Sequence, residues 1–101
     1  MSKYTIIVEG KFLQDYHCVF PEYSEKIRQY IAGHGGVVIR RQKIERVLYG
    51  DDSPDFFMVI DFPSKDIAET LFFDQEYLDI IPLRNKVFSV FKMYMAPFGD
   101  V

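Results

Sequence analysis

Apolar and polar positions follow two different periods along the chain, and the changes of period mark its elements. Tyr4 to Glu9 is rich in β-branched residues and runs into Gly10, which predicts a first strand closed by the glycine. From Phe20 the apolar positions are Phe20, Tyr23, Ile27, Tyr30 and Ile31, with Glu22, Glu25, Lys26, Arg28 and Gln29 opposite. This three-and-four spacing predicts an amphipathic helix. Pro21 suits its first turn, and His34 followed by Gly35-Gly36 supplies a dipole partner and a residue free to take positive φ at its end.

Val37 to Leu48 reads as a long second strand, and Gly50-Asp51-Asp52-Ser53-Pro54 as the turn of a hairpin. Asp55 to Phe62 forms the third strand and halts at Pro63, which cannot donate to a ladder. Ser64 offers an N-cap oxygen and Asp66 a first-turn charge to a second helix through Ile67, Ala68, Leu71 and Phe72. A further helical stretch around Glu76 to Ile81 is expected to be interrupted by Pro82. Val87 to Met95 is the fourth strand. The order is βαββαβ, an α+β class in which right-handed crossovers give one antiparallel four-stranded sheet with both helices on the same face. Residues 1–101 read as a single domain, with a core at about residues 3–96 and a short tail over 97–101.

That arrangement leaves the other sheet face uncovered. In the third strand Phe56, Met58, Ile60 and Phe62 point one way, and Phe57, Val59 and Asp61 the other. The fourth strand sets Val87, Phe91, Met93 and Met95 against Phe88, Val90, Lys92 and Tyr94. Both faces are therefore substantially apolar, and Ile7, Phe57, Val59, Phe88 and Val90 are expected on the side the helices leave bare. A symmetric second copy is the simplest cover, so a homodimer is expected.

Composition narrows the class. With 101 residues, a second core would leave each half too small to fold unaided. Ten Phe and seven Tyr exclude disorder, and a net charge of −3 lacks the positive excess that phosphate neutralisation needs, so no nucleic-acid partner is expected. The βαββαβ order and the aromatics of Phe56 to Phe62 also suit an RNA-recognition domain, but the Lys or Arg followed by Gly ahead of the aromatic is absent and Asp61 interrupts the face. The single Cys18 has no partner for an intramolecular bridge, which points to a reducing, cytoplasmic setting. No apolar run approaches the roughly 20 residues that span a bilayer, and the amino terminus lacks a cleavable leader, so no membrane partner is expected. The sequence has no phosphate loop, nucleophile elbow or metal-ligand spacing, and no cofactor is expected.

Several residues are candidates for chemistry. Asp61, beside Phe57 and Val59, is either a partly desolvated general base or the partner of a basic side chain or backbone N–H at the Pro63-Ser64 turn. His34 is either a titrating group or a helix-terminal dipole partner. Tyr77 and Arg84, seven residues apart, could present a phenol and a guanidinium together to a carboxylate or enolate oxygen, or simply pack and tie down the helix. Arg40, Arg41, Lys43 and Arg46 make the second strand basic, to attract an anion, with Arg41 as a ligand contact, or to protect a sheet edge.

Taken in order, Tyr23, His34-Gly35-Gly36, Leu48-Tyr49-Gly50, Val59 through Ser64, Ala68 through Asp74, Glu76-Tyr77 and Pro82-Leu83-Arg84 resemble the uncharacterised family catalogued as domain of unknown function thirteen-thirty, within the dimeric α/β-barrel group. Three positions depart from it: Asp61 and Tyr49 stand where relatives carry Glu, and Gln42-Lys43 where a glycine pair is common. The resemblance implies a ferredoxin-like protomer and a homodimer whose sheets face each other. Barrel relatives, among them cofactor-free monooxygenases and small isomerases, imply a pocket between sheet and helices for a small apolar or aromatic molecule. Tyr77, Arg84, Asp61 and His34 would orient or protonate that molecule. The alternative is a non-catalytic homodimeric module whose aromatics only make a core.

Overall fold

The computed structural model describes residues 3–99. The elements are β1 (Tyr4–Phe12), α1 (Phe20–Gly33), β2 (Val37–Lys43), β3 (Phe56–Phe62), α2 (Lys65–Thr70), α3 (Gln75–Leu78), α4 (Ile81–Val87) and β4 (Phe88–Pro97), with 3₁₀ turns at Tyr16–Cys18 and Leu71–Phe73. The sheet order is β2-β3-β1-β4 and every pairing is antiparallel. Among the described residues no helix is long and apolar enough to cross a membrane.

The core lies on one side of the sheet. Ile6 and Val8 of β1 and Phe56, Met58, Ile60 and Phe62 of β3 pack against Tyr23, Ile27, Tyr30 and Ile31 of α1, with Ala68, Leu71, Tyr77, Ile80 and Val87 closing the layer. The period-two alternation of β3 and the helical spacing of α1 thus meet in one cluster. Ser64 caps α2, its hydroxyl accepting from the Ile67 N–H at 3.3 Å. At the end of α1, Gly35 takes φ +79°, and the N–H groups of both His34 and Gly36 reach the Ile31 carbonyl.

Four expectations are corrected. Gly10 does not close β1, which continues to Phe12. A Cβ at Gly10 would stand 2.5 Å from the Phe88 ring, so the missing side chain is what lets that ring lie across the strand. The second strand stops at Lys43 rather than Leu48, because its partner runs out. Beyond Lys43 the Ile44 N–H still reaches Asp55, but the Asp55 N–H is turned to Gly10 and its carboxylate takes the Phe12 N–H. The stretch expected over Glu76 to Ile81 already ends at Leu78, and Pro82 restarts a helix from the first turn of α4, where no N–H is needed. Finally, Val87 is the last residue of α4 and Phe88 joins the core rather than the bare face. The pairing of β1 with β4 shifts register at Lys11/Phe12, where Phe12 faces Phe88 and Lys11 faces Val90, so a bulge over Ser89 flips the phase.

Among the described residues the far face has no helix over it. Ladder neighbours across β2, β3, β1 and β4 form three rows: Val37, Asp61, Thr5 and Ala96; Arg40, Val59, Ile7 and Tyr94; Gln42, Phe57, Glu9 and Lys92. Its centre is apolar, and polar residues are interspersed in the rows on either side. Replacing Gly10 by Ala is expected to destabilise the protein by about 1–3 kcal/mol through overpacking against Phe88. Urea midpoints measure this; no change would mean that Phe88 yields without loss.

Candidate functional site

Polar side chains gather on the helix side of the sheet, where α3, α4 and β4 meet. Tyr77 is only 2% exposed, and its hydroxyl accepts a hydrogen bond from Arg84 Nη1 at 3.0 Å. The two residues lie on separate short helices, and the turn ahead of Pro82 brings them together. The Arg84 guanidinium stands over Phe91 of β4, 4.7 Å from the ring centroid. Its Nε is buried without a hydrogen-bond partner. A buried donor on a charged group is costly to leave unmet, and any oxygen acceptor, water included, would satisfy it.

Phenol rings surround this pair. Phe72 packs edge-on against Tyr77 at 5.0 Å, Tyr30 lies 5.9 Å from it, and Tyr23 packs edge-on against Phe88. Burial pushes the Tyr23 hydroxyl well above the usual phenol range; Tyr77 adds to the rise and Arg84 opposes it. Burial also raises Tyr77, outweighing the hydrogen bond and charge of Arg84. Tyr30 is raised as well, first by burial and then by its hydrogen bond to Asp74 and that carboxylate's charge. At neutral pH the group therefore offers neutral phenols around one fixed cation, a setting for binding an anionic oxygen or stabilising one as it forms.

The other candidates are dispersed. His34 is the C-cap of α1, with Nδ1 2.9 Å from the Tyr30 carbonyl and its ring 4.4 Å from that of Tyr30, so it stands one ring away from Tyr77. Asp61 is on the opposite face of the sheet, where it accepts the Thr5 hydroxyl hydrogen at 2.9 Å across the strands. Arg41, on edge strand β2, donates to the Ser24 hydroxyl at 3.2 Å. The basic neighbour Lys43 lies over Tyr16, 5.7 Å from the ring centroid. The structure brings Tyr77 and Arg84 together with His34 nearby, and it keeps Asp61 and Arg41 apart from them.

Sequence reasoning passed over Tyr23, Tyr30, Phe91 and the acids Asp74 and Glu76. The two tyrosines do carry a signal, since each puts a hydroxyl on the buried stripe of α1, where it must find company. Phe91 lies on the correct side of β4 from strand parity alone, but its place under the Arg84 guanidinium has no signal in the sequence.

Comparison with known proteins places the chain. The family described as Domain of unknown function (DUF1330) matches residues 6–96, and the chain belongs to it. A protein of unknown function from Rhodopseudomonas palustris is similar in structure, with a TM-score of 0.77 at 14% identity over 94% of this chain and 81% of that one. A dimeric protein of unknown function with a ferredoxin-like fold, from Bacteroides fragilis, gives 0.66 at 13% identity, over 95% and 96% of the two chains. A protein from Nitrosomonas europaea, provisionally assigned as an antibiotic biosynthesis monooxygenase, gives 0.61 at 16% identity, over 97% and 98%. No curated protein matches in sequence. The fold is ferredoxin-like and of the α+β class.

The three raised phenols have a consequence for stability. In the unfolded chain they ionise near pH 10, whereas the fold holds their protons to higher pH. Their contribution is therefore present below that point and is lost as pH rises through the folded values. The urea midpoint is expected to fall steadily above about pH 10, with tyrosinate absorbance from these residues appearing only on unfolding. Substituting Phe for Tyr23 should flatten the decline, and an unchanged slope would show that Tyr23 does not carry it.

Proposed function

We propose that this member of an uncharacterised family is a homodimeric small-molecule-binding protein that takes a compact aromatic or apolar compound bearing one anionic oxygen at Arg84. The unpartnered Nε of Arg84 carries this reading. Nη1 is already held by Tyr77 and the guanidinium face by Phe91, which fixes the plane of the guanidinium and leaves Nε, beside Nη2, to donate to a carboxylate or enolate oxygen. The surrounding Tyr23, Tyr77 and Phe72 suit an aromatic body. Neutral phenols beside a fixed cation would stabilise an enolate, so conversion of such a ligand by proton transfer is the enzymatic form of the proposal. Tyr77 is then the proton-bearing group, and His34, which bonds the Tyr30 backbone carbonyl, stands outside the proton path. Asp61 and Arg41 take no part in this site; Asp61 belongs to the bare face and Arg41 to the sheet edge. The monooxygenase assignment of the Nitrosomonas europaea neighbour is compatible with aromatic substrates and goes no further than that.

The homodimer rests on the bare sheet face. Ile7, Phe57 and Val59 form an apolar centre that the chain's own helices do not cover, and a structural neighbour at 13% identity is described as dimeric. Pairing two such faces about a two-fold axis buries both centres. The polar members of the outer rows, Gln42, Glu9 and Lys92 in one and Asp61 with Thr5 in the other, would flank that centre.

Two measurements test these claims. Sedimentation equilibrium at micromolar concentration is expected to give a dimer, and Val59→Asp a folded monomer; a monomeric native protein would refute the assembly. A thermal-shift screen of small aromatic carboxylates is expected to yield a compound that raises Tm, because a ligand that binds only the native state must stabilise it. The matching neutral amides should do little. Arg84→Gln should remove the shift, and Tyr77→Phe should reduce it while circular dichroism remains native. An undiminished response in Arg84→Gln would exclude the site, whereas no shift with any compound would favour the purely structural module.

A further inference from the structure

A second group of chemically capable side chains lies at the other end of the phenol row, separate from Arg84. His34, Asp74 and Glu76 each place one donor atom within 4.8 Å of the other two. They come from distant parts of the chain: the C-cap of α1, the residue ahead of α3, and its first turn.

The hydrogen-bond accounting at this point does not balance. His34 Nδ1 lies 2.9 Å from the Tyr30 carbonyl, which can only accept, so Nδ1 carries the proton. In the neutral ring Nε2 is then a lone pair, and it faces Asp74 Oδ2, another acceptor, at 3.9 Å. The Tyr30 hydroxyl has one hydrogen for two acceptors, the Leu71 carbonyl at 2.7 Å and Asp74 Oδ2 at 3.1 Å. Glu76 adds a second carboxylate. Lys26, which borders the same hollow as Glu76, is paired with Glu22 at 3.8 Å. With a neutral imidazole the cluster therefore turns one nitrogen lone pair and two exposed carboxylates toward a common point.

We propose that His34 Nε2, Asp74 and Glu76 bind a divalent first-row transition ion of the zinc type. A cation between the imidazole and the carboxylates removes the acceptor-against-acceptor contact. It needs ligand bonds of about 2.0–2.2 Å, which the half-exposed carboxylates reach by a small rotation. Outer contacts of the kind that orient metal ligands are already in place: Nδ1–H on a backbone carbonyl fixes the histidine tautomer, and the Tyr30 hydroxyl steadies Asp74. One nitrogen and two carboxylate ligands favour zinc, cobalt or manganese over magnesium or calcium, which prefer oxygen throughout. Three protein ligands leave a coordination position open. Beside them is an open hollow of about 380 Å³ lined by His34, Ile67, Thr70, Leu71, Phe73 and Asp74. Phe73 is 78% exposed and gives that hollow an apolar wall.

Calorimetric titration of chelator-stripped, tag-free protein with zinc chloride is expected to give one ion per chain. His34→Ala and Asp74→Asn should abolish binding, and Tyr30→Phe should weaken it by about 10–100-fold. Cobalt(II) should give a visible spectrum that disappears in His34→Ala, and nitrogen NMR should report the ion at Nε2 of His34. Arg84→Gln, which alters the other site, should bind zinc as the native protein does. His17, exposed near the free Cys18, is the rival donor, and His17→Ala should have no effect. Absence of zinc binding would overturn the proposal. So would zinc binding that survives His34→Ala, or magnesium binding of equal strength, since either would describe only a generic acidic surface. Circular dichroism of each variant separates loss of ligand from loss of fold.

Discussion

Strands β1 and β3 carry apolar side chains on both of their faces, and the chain has helices enough to cover only one of them. This imbalance governs the rest of the structure. On the covered side it draws α1 and the chain of short helices into one core with Ile6, Val8, Ile60 and Phe62. On the bare side it leaves an apolar centre with polar residues in the rows on either side. The polar residues there are paired along the ladders, Glu9 opposite Lys92 and Asp61 with Thr5.

The covered side is unusual in carrying hydroxyls and a guanidinium within its packing. Tyr23, Tyr30 and Tyr77 supply core volume as phenylalanines would, but each brings an oxygen, and Arg84 reaches in from α4 to meet one of them. Burying these groups costs stability unless they are satisfied. Tyr77 and Tyr30 find partners, whereas the Nε of Arg84 does not. A Met or Leu in place of Arg84 would leave the buried Tyr77 hydroxyl without its hydrogen bond, so the arginine has a structural role in the core whatever else it holds.

Much of the fold was legible in the sequence. Strand alternation in β3, the spacing of α1, the Gly35 terminus and the Ser64 cap each rest on interactions within a few residues, and each is present. The misjudged features depend on distant partners. Gly10 reads as a stop until Phe88 is seen to lie over it; β2 reads as long until its partner turns away at Asp55; and the phase of β4 depends on a bulge set by β1. The candidate site divides in the same way. Tyr77 and Arg84 could be paired from their separation alone, although through two helices rather than one. The separation of Asp61 from them follows from strand parity, since it faces away from the core-facing Ile60 and Phe62. The proximity of His34 to Asp74 and Glu76 had no sequence signal, because it arises where the end of α1 meets the start of α3.

The register of β1 against β4 carries one further consequence, for biosynthesis. β1 is the first of the four strands to be made and occupies an interior place in the sheet, with β3 on one flank and β4 on the other. β4 is the last of the four strands to be made, and Tyr4 pairs with Pro97 and Ile6 with Met95. During translation β1 must therefore wait with one hydrogen-bonding edge open until β4, at Phe88–Pro97, has emerged. Closure of the sheet is a late event of high contact order, and the nascent chain is most vulnerable to mispairing just before that final strand arrives.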